Sequence, residues 1–169
     1  MIVKYYKISE EFHRVKKNYL KKINLIFSSG NFILGNSNKK FEKKISQLLK
    51  VNYVCGVGNG SDALEIGLIA IGIKKGDEVI TATNSWVSSL NSILNIGAKP
   101  ILVDVDNDFN IDSEQIKKKI TKKTKAIIIT HIYSFPNDMD KIIKICKKNK
   151  IFIIEDAAEV LGLTYKNKK

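Results

Sequence analysis

Apolar residues recur at helical spacing over positions 9–28, at Phe12, Val15, Tyr19, Ile23, Ile26 and Phe27. That spacing predicts an amphipathic helix, and Gly30 is placed to end it. A short loop at positions 31–35 leads to a second helix with Phe41, Ile45, Leu48 and Leu49 on one face. Beyond it, short apolar runs alternate with helical patterns. The runs at 53–55, 78–81, 100–103, 126–129 and 151–154 predict strands, and helices are predicted at 61–73 and 85–96. A further helix opens at Asp112, where Gln115 three residues on completes a capping-box pattern. Strand and helix in turn predict an α/β domain with a mostly parallel sheet and helices on both faces. The last two runs are apolar throughout, as strands covered on both faces are. No internal repeat, low-complexity linker or domain boundary stands out.

Composition adds few constraints. The 169 residues can bury a core, and the apolar fraction of 44% is ordinary for a globular domain. No apolar run reaches the length of a membrane span. The start, Met1-Ile2-Val3-Lys4-Tyr5-Tyr6, lacks the pattern of a secretory signal, so a cytoplasmic location is expected. Cys55 and Cys146 lie in apolar segments and read as small core residues. His and Cys are too few for a zinc constellation. A net charge of +12 raises the question of nucleic acid. Yet the basic residues are lysines spread along the chain with Arg14 as the single arginine, and base and phosphate readout favours arginine. Solvated helix faces explain the lysines at 117–119 and 147–150 more simply.

Ligands in such sheets bind beyond the carboxyl ends of the strands, and four features fall there. Gly56-Val57-Gly58-Asn59-Gly60-Ser61-Asp62-Ala63 comes after a predicted strand and opens a helix. Its glycines allow a tight turn, and helix-start N–H groups attract phosphate. A plain helix cap would look the same. A dinucleotide fingerprint would also need an acidic residue at the end of the second strand. That strand ends Thr81-Ala82-Thr83-Asn84, with Asp77 and Glu78 at its beginning, which counts against NAD. Trp86, the single tryptophan, is either a half-buried anchor or a stacking partner for a flat ring. Glu155-Asp156 ends the last apolar strand, either capping the next helix or facing a protonated pyridine nitrogen. His131, with Tyr133 nearby, reads first as a structural hydrogen-bonding residue.

Taken in order, these segments resemble the DegT/StrS group of nucleotide-sugar aminotransferases, fold-type I enzymes that use pyridoxal 5′-phosphate (PLP). The resemblance rests on Phe32-Ile33-Leu34-Gly35 with Phe41-Glu42, the turn Val57 to Leu64, and Gly76-Asp77-Glu78-Val79-Ile80. It continues through Ser85-Trp86-Val87-Ser88-Ser89, Gly97-Ala98-Lys99-Pro100, Asp104-Val105-Asp106, His131-Ile132-Tyr133, Asp138-Met139-Asp140 and Glu155-Asp156-Ala157-Ala158. It implies part of a fold-type I large domain, with N-terminal helices over 1–50 and an α/β portion over 51–169.

The resemblance also implies roles. Gly60, Ser61 and Asp62 would lie at the cofactor phosphate, Trp86 on the pyridine ring, Asp156 at its nitrogen and Glu159 near the ring hydroxyl. Glutamate departs from the family's Gln or His at that last position, and an ionised carboxylate would repel a phenolate oxygen. Ser134 stands where the family has glycine. The Schiff-base lysine, two further strands and the small C-terminal domain are expected beyond Lys169, so no catalytic residue is assigned within the chain. The intact enzyme would take an amino group, from glutamate, to a nucleotide-linked keto sugar and act as a homodimer. By the family's strand order, two later strands separate the run at 53–55 from that at 151–154. Here the first would lack a sheet neighbour and the last would present an open edge. The chain alone is expected to be inactive, marginally stable or self-associating, and to need a C-terminal partner fragment. A non-catalytic nucleotide- or phosphate-binding α/β module is the alternative.

Overall fold

The computed structural model describes residues 7–167. Met1–Tyr6, on which the expectation of no secretory signal rests, and the terminal Lys168 and Lys169 lie outside them. The chain divides after Gly56 into two compact units.

The first unit holds α1 (Ile8–Ser29) and α2 (Asn36–Leu49). Gly30 ends α1 in the left-handed conformation that favours glycine, its N–H reaching the Phe27 carbonyl. In α2, Glu42 Oε1 accepts from Asn38 Nδ2 at 3.0 Å and from the Gly56 N–H at 2.9 Å. Residues 53–55 are not a strand. Tyr53 and Val54 carry the right residue types, but a strand exists only through a ladder partner, and none of the described strands pairs there. Cys55 is exposed, contrary to the core reading.

The second unit is a four-stranded parallel sheet in the order β2 (Lys99–Val103), β1 (Glu78–Ala82), β3 (Thr124–Thr130), β4 (Phe152–Asp156). Helix α3 (Gly60–Ala70) precedes β1, and α4 (Val87–Asn95), α5 (Ser113–Lys119) and α6 (Met139–Asn149) connect successive strands. Side chains alternate between the two faces of a strand, and the core divides accordingly. Val79, Ala126 and Ile128 pack with Leu64, Leu68 and Ile93 of α3 and α4. Ile80, Ile127 and Ile129 pack with Ile116, Ile142, Ile145 and Cys146 of α5 and α6. Burial pushes the Cys146 thiol up to about 11, so this cysteine is the inert core residue the sequence suggests.

The central β3 is covered on both faces, with Ile127, Ile128 and Ile129 fully buried. β4 is not. Its apolar run suggests the same burial, but it pairs with β3 alone, and Phe152 is 55% exposed. At α5, Asp112 caps the helix, but not through the expected capping box with Gln115. Asp112 accepts from the Glu114 N–H at 2.7 Å, while its own N–H goes to the Asp104 carbonyl and not to Gln115.

Candidate functional site

The carboxyl ends of β1, β3 and β4 lie together because the three strands are parallel neighbours. Strand alternation then sorts the residues at that edge. Thr130 and Asp156 pair across β3 and β4 and continue the Ile128–Ile154 face, which packs against α3 and α4. Glu155 and His131 continue the opposite face. The adjacent carboxylates Glu155 and Asp156 are thereby sent to different sides of the sheet.

On the α5 and α6 side, His131 is 4% exposed and its Nδ1 accepts the Asn137 backbone N–H at 3.1 Å. That contact leaves the proton on Nε2, which faces Glu155 Oε2 at 3.4 Å. Fully buried Asn137 also donates to the Thr130 carbonyl at 3.0 Å and accepts the Ile111 N–H at 3.1 Å. His131 therefore organises the loop after β3, the structural role the sequence favours.

On the α3 and α4 side, Asn59 caps α3, its side chain accepting the Asp62 N–H at 2.9 Å. Helix geometry leaves the Gly60 and Ser61 N–H groups with no carbonyl one turn back. A side chain on Gly60 would meet nothing within 4 Å, so the approach to these groups is open. A Cβ at Gly58 would come within 2.7 Å of Asp62 Oδ2, so the carboxylate leans over that glycine. Asp62 thus offers the turn neither a free N–H nor a positive charge. Ser61 Oγ lies 2.7 Å from Ser88 Oγ in the first turn of α4, joining the starts of two helices.

Trp86 is the N-cap residue of α4 and is 72% exposed. The half-buried anchor reading fails, because so exposed a residue is not packed between helix and sheet. Ser85, just before it, has its Oγ 2.8 Å from both Thr130 Oγ1 and Ser89 Oγ. Asp156 Oδ1 accepts the Ala158 N–H at 3.3 Å, a weak local contact. Five of the anticipated residues, Gly60, Ser61 and Asp62 at the start of α3 with Trp86 and Asp156, therefore sit on elements that share one face and one edge of the sheet. This donor set suits a phosphorylated aromatic cofactor: unpaired helix-start N–H groups and hydroxyls, an exposed aromatic ring, and a carboxylate.

Glu159 is engaged differently from what the sequence suggests. Its carboxylate accepts the Tyr133 N–H at 2.8 Å, and its carbonyl accepts from Ser134 Oγ at 3.2 Å. It ties the turn after β3 to the segment after β4. In that turn Tyr133 and Ser134 both have left-handed backbones, at φ 54° and 63°. A side chain in that region costs roughly 1–2 kcal/mol, so serine in place of glycine is held there by the contacts to Glu159. Sequence reasoning weighed a helix cap at the turn before α3, which Asn59 supplies, but missed the Glu159 tie and the Ser61–Ser88 and Ser85–Thr130 bridges. The cluster Ser85, Ser88 and Ser89 at a helix start is the signal that could have found the bridges.

The model of the DegT/DnrJ/EryC1/StrS aminotransferase family matches residues 13–169. GDP-perosamine synthase of Escherichia coli O157:H7 is 44% identical over 144 residues, which are 85% of this chain and 38% of that protein. The structure of S. venezuelae DesV in complex with a ketimine intermediate superposes with a TM-score of 0.95 at 28% identity, covering 99% of this chain and 45% of that one. NtdA of Bacillus subtilis with bound cofactor PMP superposes with a TM-score of 0.85 at 38% identity, covering 88% and 34%. The chain spans about two-fifths of the length of the curated relatives it matches. It belongs to the DegT/DnrJ/EryC1/StrS aminotransferase family.

Proposed function

We propose that this chain supplies the cofactor-holding part of a PLP-dependent aminotransferase that passes an amino group from glutamate to a nucleotide-linked keto sugar. The observation that carries the reading is the shared edge of α3, α4 and β4, which gathers Ser61, Trp86 and Asp156 on one side of the sheet. A dTDP-3-amino-3,6-dideoxy-alpha-D-galactopyranose transaminase of Aneurinibacillus thermoaerophilus, 40% identical over 157 residues, and the PMP-bound NtdA support the same reading.

In this reading the Gly60 and Ser61 N–H groups and the Ser61 hydroxyl hold the phosphate at the start of α3. The Trp86 ring lies against the pyridine and shields one of its faces from water. Asp156 holds a proton on the ring nitrogen. PLP, when bound, supplies an electron sink for the carbon that gives up or receives the amino group. The Glu159 carboxylate stays engaged with the Tyr133 N–H. The lysine that would hold the cofactor covalently is expected in the part of the relatives that this chain does not cover. The working enzyme is a homodimer, and residues 1–169 alone bind PLP without a covalent link and do not catalyse the transfer.

The purified chain is titrated with PLP and, in parallel, with GDP, with absorbance recorded before and after borohydride. The reading expects PLP to bind and to be released again after reduction and gel filtration. One stoichiometric reduced lysine, located by mass spectrometry, would place the covalent residue inside the chain. Binding of GDP but not PLP would favour a simple nucleotide-binding module.

A further inference from the structure

Two positions that carry none of the assigned roles tie the site together. Thr130 is the last residue of β3 and the register partner of Asp156 in β4. Its hydroxyl is 2.8 Å from Ser85 Oγ, and Ser85 is the residue before Trp86. Ser85 is also 2.8 Å from Ser89 Oγ in the first turn of α4. The backbone that presents Trp86 is thus clamped from below by a strand and from above by its own helix. The exposed ring has little packing of its own to fix it, at 72% exposure.

From this juxtaposition we infer that the Thr130–Ser85 hydroxyl bridge positions Trp86 relative to Asp156, Thr130 and Ser85 being positioning residues for the cofactor ring. The inference rests on the PLP reading for its functional meaning, but the bridge can also be tested without ligand. A ring held between a stacking indole and a carboxylate needs both at a fixed separation. Neighbouring parallel strands hold their spacing at about 4.8 Å, so Thr130 cannot move independently of Asp156. Ser85 carries that fixed reference across to α4. Loss of either hydroxyl frees the start of α4 and lets the indole rotate away. Thr130→Val removes the hydroxyl with the shape kept, Ser85→Ala removes its partner, and Thr130→Ser keeps the hydroxyl.

The experiment compares the wild-type chain, Ser85→Ala, Thr130→Val, the double variant and Thr130→Ser. It measures acrylamide quenching of the single tryptophan without ligand, PLP affinity, and the thermal midpoint. Ser85→Ala and Thr130→Val are each expected to weaken PLP binding about three- to tenfold, the effect of one hydrogen bond. The double variant should be no weaker than Ser85→Ala alone, which already removes the bridge together with the Ser89 contact. Thr130→Ser should bind within about twofold of wild type. Quenching of Trp86 should change in the two single variants and be restored in Thr130→Ser. Effects that multiply in the double variant, or a lowered thermal midpoint with unaltered Trp86 quenching and PLP affinity, would overturn the inference. If wild type shows no PLP binding, the functional reading falls while the ligand-free quenching series still decides the bridge. Should Thr130→Val fail to fold, Ser85→Ala at its half-buried position carries the comparison with Thr130→Ser.

Discussion

Changing Asp156 to asparagine is expected to weaken PLP binding about ten- to a hundredfold, the scale of a hydrogen bond between charged partners. The substitution keeps the side-chain shape and an oxygen for the Ala158 N–H, which Asp156 Oδ1 accepts at 3.3 Å. It removes only the negative charge. The backbone carbonyl of residue 156, which accepts the His131 N–H at 3.2 Å, is untouched, so the strand end should persist. A protonated ring nitrogen facing a neutral amide loses its electrostatic partner and releases its proton more readily. Equilibrium dialysis at neutral pH, with circular dichroism as the control for folding, measures the effect. Unchanged affinity in a folded Asp156→Asn chain would remove this carboxylate from the ring and favour a plain phosphate site.

The largest stability loss is expected at Ile128. Its side chain is fully buried in the middle strand, packed with the α3 and α4 core. Truncation to alanine leaves a cavity that β1 and β4, hydrogen-bonded on either side through β3, cannot close. The cost should be about 2–5 kcal/mol, set against a total domain stability of about 5–15 kcal/mol. Ile69 in α3 is 56% exposed, and Ile69→Ala should change stability by less than about 0.5 kcal/mol. Urea unfolding followed by circular dichroism compares the two. Equal midpoints for both variants would mean that β3 is not the centre of the core. Thr130 lies two residues on along the same face, so Ile128→Ala should also loosen the site edge.

The contrast between these two isoleucines marks what the sequence can and cannot supply. Both sit in apolar contexts, and the runs around them suffice to predict a strand and a helix. What composition alone lacks is the identity of each strand's neighbours, which here comes from the strand order of the resembled family. Residues 53–55 have strand chemistry and no ladder, and β4 has a core strand's composition at an open edge. Both departures come from pairing, which depends on residues far away in the chain. The site shows the same division. Ser61, Trp86 and Asp156 are legible because a turn, a helix start and a strand end announce them locally. The Ser61–Ser88 and Ser85–Thr130 contacts join residues 27 and 45 positions apart, and hydroxyl pairs leave no spacing pattern. Glu159 is legible as a departure from a resembled family, but its Tyr133 partner is not, since the acceptor meets a backbone N–H that any residue other than proline would carry. The sending of Glu155 and Asp156 to opposite faces, by contrast, comes from strand alternation alone.

The fluorescence of Trp86 during a PLP titration tests the account most directly, because this is the single tryptophan in the chain and the proposed stacking partner of the ring. The expected result is saturable quenching at one PLP per chain. Trp86→Ala should then weaken PLP binding, followed by absorbance, by about 1–3 kcal/mol, the scale of a lost stacked aromatic contact and its buried area. Saturable PLP binding that leaves the Trp86 emission unaltered, together with unchanged affinity in a folded Trp86→Ala chain, would contradict the account and place the cofactor elsewhere.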